Sequence, residues 1–485
     1  MVELEPTIDT SPAIRASGID TLPNELLSDI FTMGAASQPL DVEQLPFALL
    51  VSSISRRWRE AAISSPPLWS QLSLTANPRS ASWCAQLFLP RSGAHPLDIS
   101  INMLLEQGLF GLGSVMKIMQ FLLPHCARWR KLCIRVGDDN ENFVIRSMVQ
   151  YIPAPLLQHF EFVYEGECIG EGRSHAPFFD LGAPALTSVK LRGMCLECAP
   201  HLANLTSFRF DSKATSVTQS QMESIVAASP ALRVLHLRLK GFEASGSGSI
   251  HIPSLRNLSL NFRAWDHNTE PHTEPLHIFA IMVAPALKSL ELVWLPLYDG
   301  SDLNALFQNF PNYPRPQTLK LSHSIYDSEA CDNLLGHFPT VTSLYLLDTA
   351  QEPKVSLLPA LKYITYHLDQ HVWGNLDDEY MKWLCRHVQD CHGTPRAMES
   401  VRMGSSACEL ARLGVSGEAH YRTLRDLVDL VELPDDADSL KNSWSSDDEV
   451  EGEEEYGESE EEDDYDDLED YWEDYLDPED EWESD

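Results

Sequence analysis

PALRVLHL at residues 230–237, PSLRNLSL at 253–260 and PALKSLEL at 285–292 are three writings of one frame, Pro-x-Leu-x-x-Leu-x-Leu. The last apolar pair of each copy alternates with polar residues, the period-2 pattern of a short strand with one buried face. The frame returns as PLLQHFEF (155–162), PALTSVKL (184–191), PTVTSLYL (339–346) and PALKYITY (359–366), with LANLTSFRF (202–210) and RPQTLKL (315–321) as degenerate copies. Their first anchors, Leu157, Leu186, Leu205, Leu232, Leu255, Leu287, Pro316, Val341 and Leu361, stand 29, 19, 27, 23, 32, 29, 25 and 20 residues apart.

Steps of that length hold one strand and one return segment. Several return segments read as amphipathic helices: Thr218 with Gln221 forms a capping box ahead of Met222, Ile225 and Val226. Ser301 precedes Leu303, Leu306, Phe307 and Phe310, and Ser328 precedes Cys331, Leu334, Leu335 and Phe338. Earlier fragments, Trp69-x-x-Leu72-x-Leu74, Leu97-x-Ile99-x-Ile101 and Trp129-x-x-Leu132-x-Ile134, carry the pattern back towards the N-terminus. The frame and its spacing resemble irregular leucine-rich repeats. The resemblance implies a curved α/β solenoid over residues 75–433, with a parallel strand on one face of every coil and the concave strand face exposed. The strand residues Lys190, His236, Ser259, Glu291 and Lys320 are then candidates for reading a partner.

Ahead of the repeats, Asp20-Thr21-Leu22-Pro23-Asn24-Glu25 reads as a helix start, with proline pre-set for the first turn and glutamate beside the positive end of the helix dipole. Leu26, Leu27, Ile30 and Phe31 follow at helical spacing, and Gly34 with the polar run to Asp41 is read as the break. Pro46 opens a second apolar segment, Phe47 to Val51 with Ile54, and Arg56-Arg57-Trp58-Arg59 leads into a third that Pro66-Pro67 stops. So small a unit hides too little surface to be self-sufficient. The order LPNELLSDIF, LLVSSISRRWREAA, PPLWSQLSL over residues 20–74 resembles the F-box of substrate receptors in SCF-type ubiquitin ligases, as found in mushroom-forming fungi. Ser53 stands where many relatives have cysteine. The resemblance implies that Leu22, Pro23, Leu26, Ile30, Phe31, Leu50, Val51 and Trp58 pack against a Skp-type adaptor, and through it reach a cullin scaffold.

Charge is distributed unevenly. Of 73 acidic residues, 25 lie between Ser445 and Asp485, where there is no lysine or arginine. A like-charge block with few aliphatic residues stays solvated, so 434–485 is expected to be a disordered acidic tail, as 1–19 is a disordered N-terminus. The acidity argues against nucleic acid as a partner, because phosphate contacts need clustered cations. Neither a secretory signal nor a membrane-spanning apolar run is visible, which points to a cytoplasmic or nuclear protein with reduced thiols.

Catalytic signatures are sparse. Ser245-Gly-Ser-Gly-Ser249 lacks the Gly-Lys-Ser/Thr of a phosphate loop, and Gly108-x-x-Gly111-x-Gly113 has the wrong spacing for a dinucleotide loop. Cys195-x-x-Cys198 has no second pair, and Cys385, His387, Cys391 and His392 fall on different faces of one helix. Neither motif supports a metal, and no catalytic residue or cofactor is assigned. Ser445, Ser446 and Ser459 precede acidic runs, a context that acidophilic kinases favour. The reading is an adaptor that does no chemistry itself and captures an unknown target. The alternative is a leucine-rich-repeat protein whose acidic tail binds basic proteins such as histones.

Overall fold

The computed structural model describes residues 19, 22–38, 45–75, 78–104, 112–166, 177–212, 216–239, 241–244, 248–262, 278, 281–294, 316–323, 328–347, 354–367, 377–413, 417–434 and 437. The Leu303–Phe310 segment and the tail serines lie outside them.

The proline of the repeat frame has a definite task. In the seven full copies the anchor N–H donates to the carbonyl three residues earlier: Leu157 to Ala154, Leu186 to Ala183, Leu232 to Ser229, Leu255 to Ile252, Leu287 to Ala284, Val341 to Phe338 and Leu361 to Leu358, all at 3.0–3.2 Å. Each turn thus has proline at its second position, where the ring pre-sets φ and no N–H is required. The chain leaves the turn as a strand. The residue after the anchor donates to its counterpart one coil earlier, as Arg256 does to Arg233, Lys288 to Arg256 and Gln317 to Lys288, each at 2.8 Å.

These rungs build a single fully parallel sheet. Its strands in spatial order are β1 (Gln71–Thr75), β2 (Leu97–Asn102), β3 (Trp129–Val136), β4 (His159–Tyr164), β5 (Ser188–Arg192), β6 (Ser207–Asp211), β8 (Val234–Arg238), β11 (Asn257–Asn261), β13 (Ser289–Val293), β14 (Thr318–Ser322), β15 (Ser343–Leu347), β16 (Tyr363–His367), β17 (Ser400–Gly404) and β18 (Asp429–Leu433). Two short parallel pairs accompany it: β7 (Val217–Thr218) with β9 (Phe242–Glu243), and β10 (Ile250–His251) with β12 (Met282–Val283). Spatial order follows chain order throughout the large sheet, which is the topology of stacked coils.

Leu235, Leu237, Leu258, Leu260, Leu290 and Leu292 are buried at the second and fourth strand positions and lie in register from coil to coil. The expected alternation is present. The return segments complete the core: the helix Gln219–Ala228 has the Thr218–Gln221 capping box, with Thr218 N–H donating to Gln221 Oε1 at 2.9 Å, and buries Met222 and Ile225. The Ser328–Gly336 helix buries Cys331, Leu334 and Leu335. No described helix is long and apolar enough to cross a membrane.

Two expectations need correction. The first strand of the sheet starts at Gln71, inside the segment read as part of the helical module, so the repeat stack begins before residue 75. The strand face is not uniformly open: Ser259 and Glu291 are buried, whereas Lys190, His236 and Lys320 are half-buried.

Truncating Leu235→Ala at a buried rung should lower stability by about 2–5 kcal/mol, and Thr218→Ala by about 1 kcal/mol, measured as urea midpoints. An unchanged midpoint for the leucine variant would contradict the shared core.

Candidate functional site

The N-terminal helices are α1 (Asn24–Ala36), α2 (Phe47–Ile54) and α3 (Arg56–Ile63). Pro23 and Pro46 stand at the N-caps of the first two. Ser55 separates α2 from α3 and caps the latter, its hydroxyl accepting from Trp58 N–H at 3.2 Å. The Ser53 departure leaves α2 intact, since Ser53 Oγ donates back to Leu50 C=O at 2.7 Å. Gly34 does not break α1. A Cβ there would stand 2.4 Å from the Phe47 ring, so glycine is the residue that lets α2 pack so close to the first helix.

The eight residues assigned to adaptor contact divide into three groups. Leu26 (48% exposed), Ile30 (40%) and Leu50 (48%) face solvent, as does Pro23. They are joined by Met33 (63%) and Ile54 (56%), which the motif resemblance did not single out. Leu26, Ile30 and Met33 follow at i, i+4 and i+7, and Leu50 and Ile54 at i and i+4, so each helix carries an apolar stripe on its outer face. Phe31 (1%) and Val51 (2%) are corrections. They belong to the unit's own core, beside Leu27, Ala48 and Ala62, and no partner can touch them while the unit is closed. Trp58 and Leu22 are half-buried: the Trp58 ring lies 5.0 Å from that of Phe31, and Leu22 C=O accepts from the Arg57 guanidinium.

Trp69 joins this unit to the sheet. Its indole N–H donates to Ala62 C=O at 2.7 Å, its ring meets Phe88 edge-on at 5.1 Å, and the Arg91 guanidinium sits 4.4 Å above it. Buried among residues of both parts, it fixes α3 against the first coil.

On the outer face of the sheet, the third and fifth strand positions carry an ionic ladder. Glu161 is shared by Lys190 at 3.1 Å and Arg135 at 3.4 Å, both on Oε1, with His159 3.9 Å from Oε2. Asp211 lies between Arg192 at 3.5 Å and Arg238 at 3.4 Å, and Glu165 approaches Arg192 at 3.4 Å. Burial alone would raise the Glu161 carboxyl, but His159, Lys190 and Arg135 together outweigh it and hold the group well below the usual carboxylate range.

Two cysteine motifs also resolve. Cys195 and Cys198 meet, with Sγ atoms 3.0 Å apart and buried; among the described residues no further metal ligand joins them. In the helix Asp377–Cys391, His387 Nε2 and Cys391 Sγ stand 3.7 Å apart beside a cavity of about 440 Å³ that Val355, Leu358, Leu361 and Arg396 also line. Cys385 is buried and His392 is exposed beyond the helix end, so the four do not converge. Burial, then Asp390, raises the Cys391 thiol, and burial lowers His387, so the pair is a neutral thiol and imidazole, not an activated nucleophile. Cys133, His159 and Glu161 form the one group of three ligand types that converges among the described residues. Lys190 and Arg135 on the same carboxylate oppose a divalent cation there.

At neutral pH Glu161→Gln leaves two partly buried cations short of their counter-ion and should cost about 3 kcal/mol. Because the folded-state pKa is depressed, the stabilisation is full above the ordinary value of 4.5 and fades as pH falls below it. Urea midpoints of the two forms should therefore draw together steadily as pH falls below about 4.5; a constant gap would contradict the ladder's role.

No family model matches the chain, and no curated protein matches it. Among solved structures, the chain is similar to the TLR13 chain of a TLR13–ssRNA13 complex, at 12% identity and a TM-score of 0.26 over 64% of this chain. It spans about half (49%) of the length of that chain. The fold assignment rests on the strand order above.

Proposed function

We propose that this chain is a substrate-recognition adaptor of an SCF-type ubiquitin ligase. Its three-helix unit docks on a Skp-type adaptor, and its leucine-rich repeat coils hold the protein to be modified. The reading is carried by one observation: Leu26, Ile30 and Met33 on α1, with Leu50 and Ile54 on α2, leave apolar stripes in solvent on the unit whose sequence resembles an F-box. Removing such side chains from water contributes roughly 1.5–3 kcal/mol for each one fully buried, and here part of that gain is left for a partner.

In this role the chain transfers no group itself. It raises the local concentration of target lysines near a charged conjugating enzyme supplied by other subunits. Phe31, Val51 and Trp58 act one layer below, holding α1 and α2 in the arrangement that presents the stripes. Trp69 makes the docking unit and the first coil one packed body, so an adaptor bound at α1 holds the repeat face in a fixed direction. The alternative of a basic-protein binder acting through the acidic tail gives the exposed stripes no task.

Pull-down of the full chain with a purified Skp-type adaptor tests the reading. Binding is expected for the native sequence and a loss of at least about tenfold for Leu26→Asp with Ile30→Asp, while the urea midpoint stays within about 0.5 kcal/mol because both sites are exposed. No binding by the intact chain would sink the proposal.

A further inference from the structure

Strands β3 to β8 of the sheet concentrate positive charge on their outer face. By register, Cys133, Glu161, Lys190, Arg209 and His236 form one row across adjacent strands, and Arg135, Val163, Arg192, Asp211 and Arg238 form the next. Lys131 opens the row before them, opposite His159. Six cations, Lys131, Arg135, Lys190, Arg192, Arg209 and Arg238, thus share a face with the strand carboxylates Glu161 and Asp211, and Glu165 stands just past β4. The patch has edges. Towards the N-terminus the two main rows continue into the neutral Ser100 and Asn102 while Asp98 stands opposite Lys131, and on the other side they continue into the neutral Ser259 and Asn261.

This local excess stands out in a chain of net charge −38, with 35 basic residues in all. Scattered cations on an acidic surface would need no account. Here they are aligned, and one carboxylate serves two of them at Glu161 and again at Asp211. Arg192 and Arg238 are buried and belong to the base of the patch, where they set its potential. Lys131, Arg135, Lys190 and Arg209 are half-buried and reach its surface.

We propose that this patch binds a short carboxylate-rich segment of a partner protein, and that acidic peptide is the class of target the sheet reads. The inference rests on the reading of the repeats as the target-holding part. Charge complementarity selects the ligand, and guanidinium groups match carboxylates with paired, planar hydrogen bonds. Size agrees: five adjacent strands at a spacing of roughly 4.8 Å span about 19 Å, the length of some six extended residues. Nucleic acid fits less well, because duplex DNA brings one charge every ~1.7 Å over a length far beyond the patch and meets the acidic remainder of the chain.

Fluorescence anisotropy on the full chain tests this, with a labelled peptide of about eight Asp and Glu residues as probe and an Asn/Gln peptide of equal length as comparison. Saturable binding of the acidic peptide is expected, weakened about tenfold by Lys131→Glu with Arg209→Glu and about threefold by Arg209→Gln, and weakened by added salt. Arg422→Glu, on an exposed helix position outside the sheet, should leave binding unchanged. Circular dichroism melts identify any variant that does not fold, and Arg209→Gln then carries the comparison. The proposal is overturned by absence of saturable binding, by equal binding of the Asn/Gln peptide, by an equal effect of Arg422→Glu, or by tighter binding of a single-stranded oligonucleotide. Adaptor pull-down on the same preparations separates this failure from failure of the docking reading, since α1 and α2 are untouched by these changes.

Discussion

The hydrogen-bonded turn that starts each of the seven regular coils is the constraint on which the other features depend. It stops the return segment, sets proline where its missing N–H costs nothing, and delivers the anchor leucine to the core. The next residue then bonds one coil back, so register passes from Arg130 to Gln158, from Arg233 to Arg256 to Lys288, and onward. A slip of one residue would turn every leucine outward and every charge inward. The polar ladder over β3 to β8 is therefore a consequence of the same rungs that build the apolar core.

A second constraint acts at the N-terminal end. An edge strand with unpaired backbone invites association, and capping the stack with a different structure is one way repeat proteins handle it. Here the helical unit packs beside β1 through Trp69, whose indole binds α3 while its ring lies on Phe88 of the first return helix. The unit buries one face of α1 through Leu27, Phe31 and Ala35 and leaves the other, Leu26, Ile30 and Met33, in water. That division separates what holds the unit together from what is free to meet a partner.

Much of this was legible in the residues. Proline followed by leucines at fixed offsets marked the central coils, and the Thr218–Gln221 pair marked a helix start that the structure contains. The strands β17 and β18 carry no mark of the frame because SVRMG and DLVEL have no preceding Pro-x-Leu; before β17 the turn runs from Ala397 N–H to Thr394 C=O around Pro395, and the rung from Glu399 N–H to Lys362 C=O is kept. The apolar arc of α1 is broad enough to hold both the core pair Leu27 and Phe31 and the outer pair Leu26 and Ile30, so helical spacing alone had no way to tell them apart. Gly34 looked like a helix break because the ring of Phe47, thirteen residues on, is what makes glycine fit there. The ionic ladder was invisible for a similar reason: Glu161, Lys190 and Arg135 are distant in sequence and meet only through register.

Hydrogen–deuterium exchange of the full chain, with and without a purified Skp-type adaptor, addresses the central claim most directly. The account predicts slowed exchange over Asn24–Ala36 and Phe47–Ile54 on adding the adaptor, with the strands β4 to β14 unchanged. Protection confined to the sheet, or none anywhere, would contradict it.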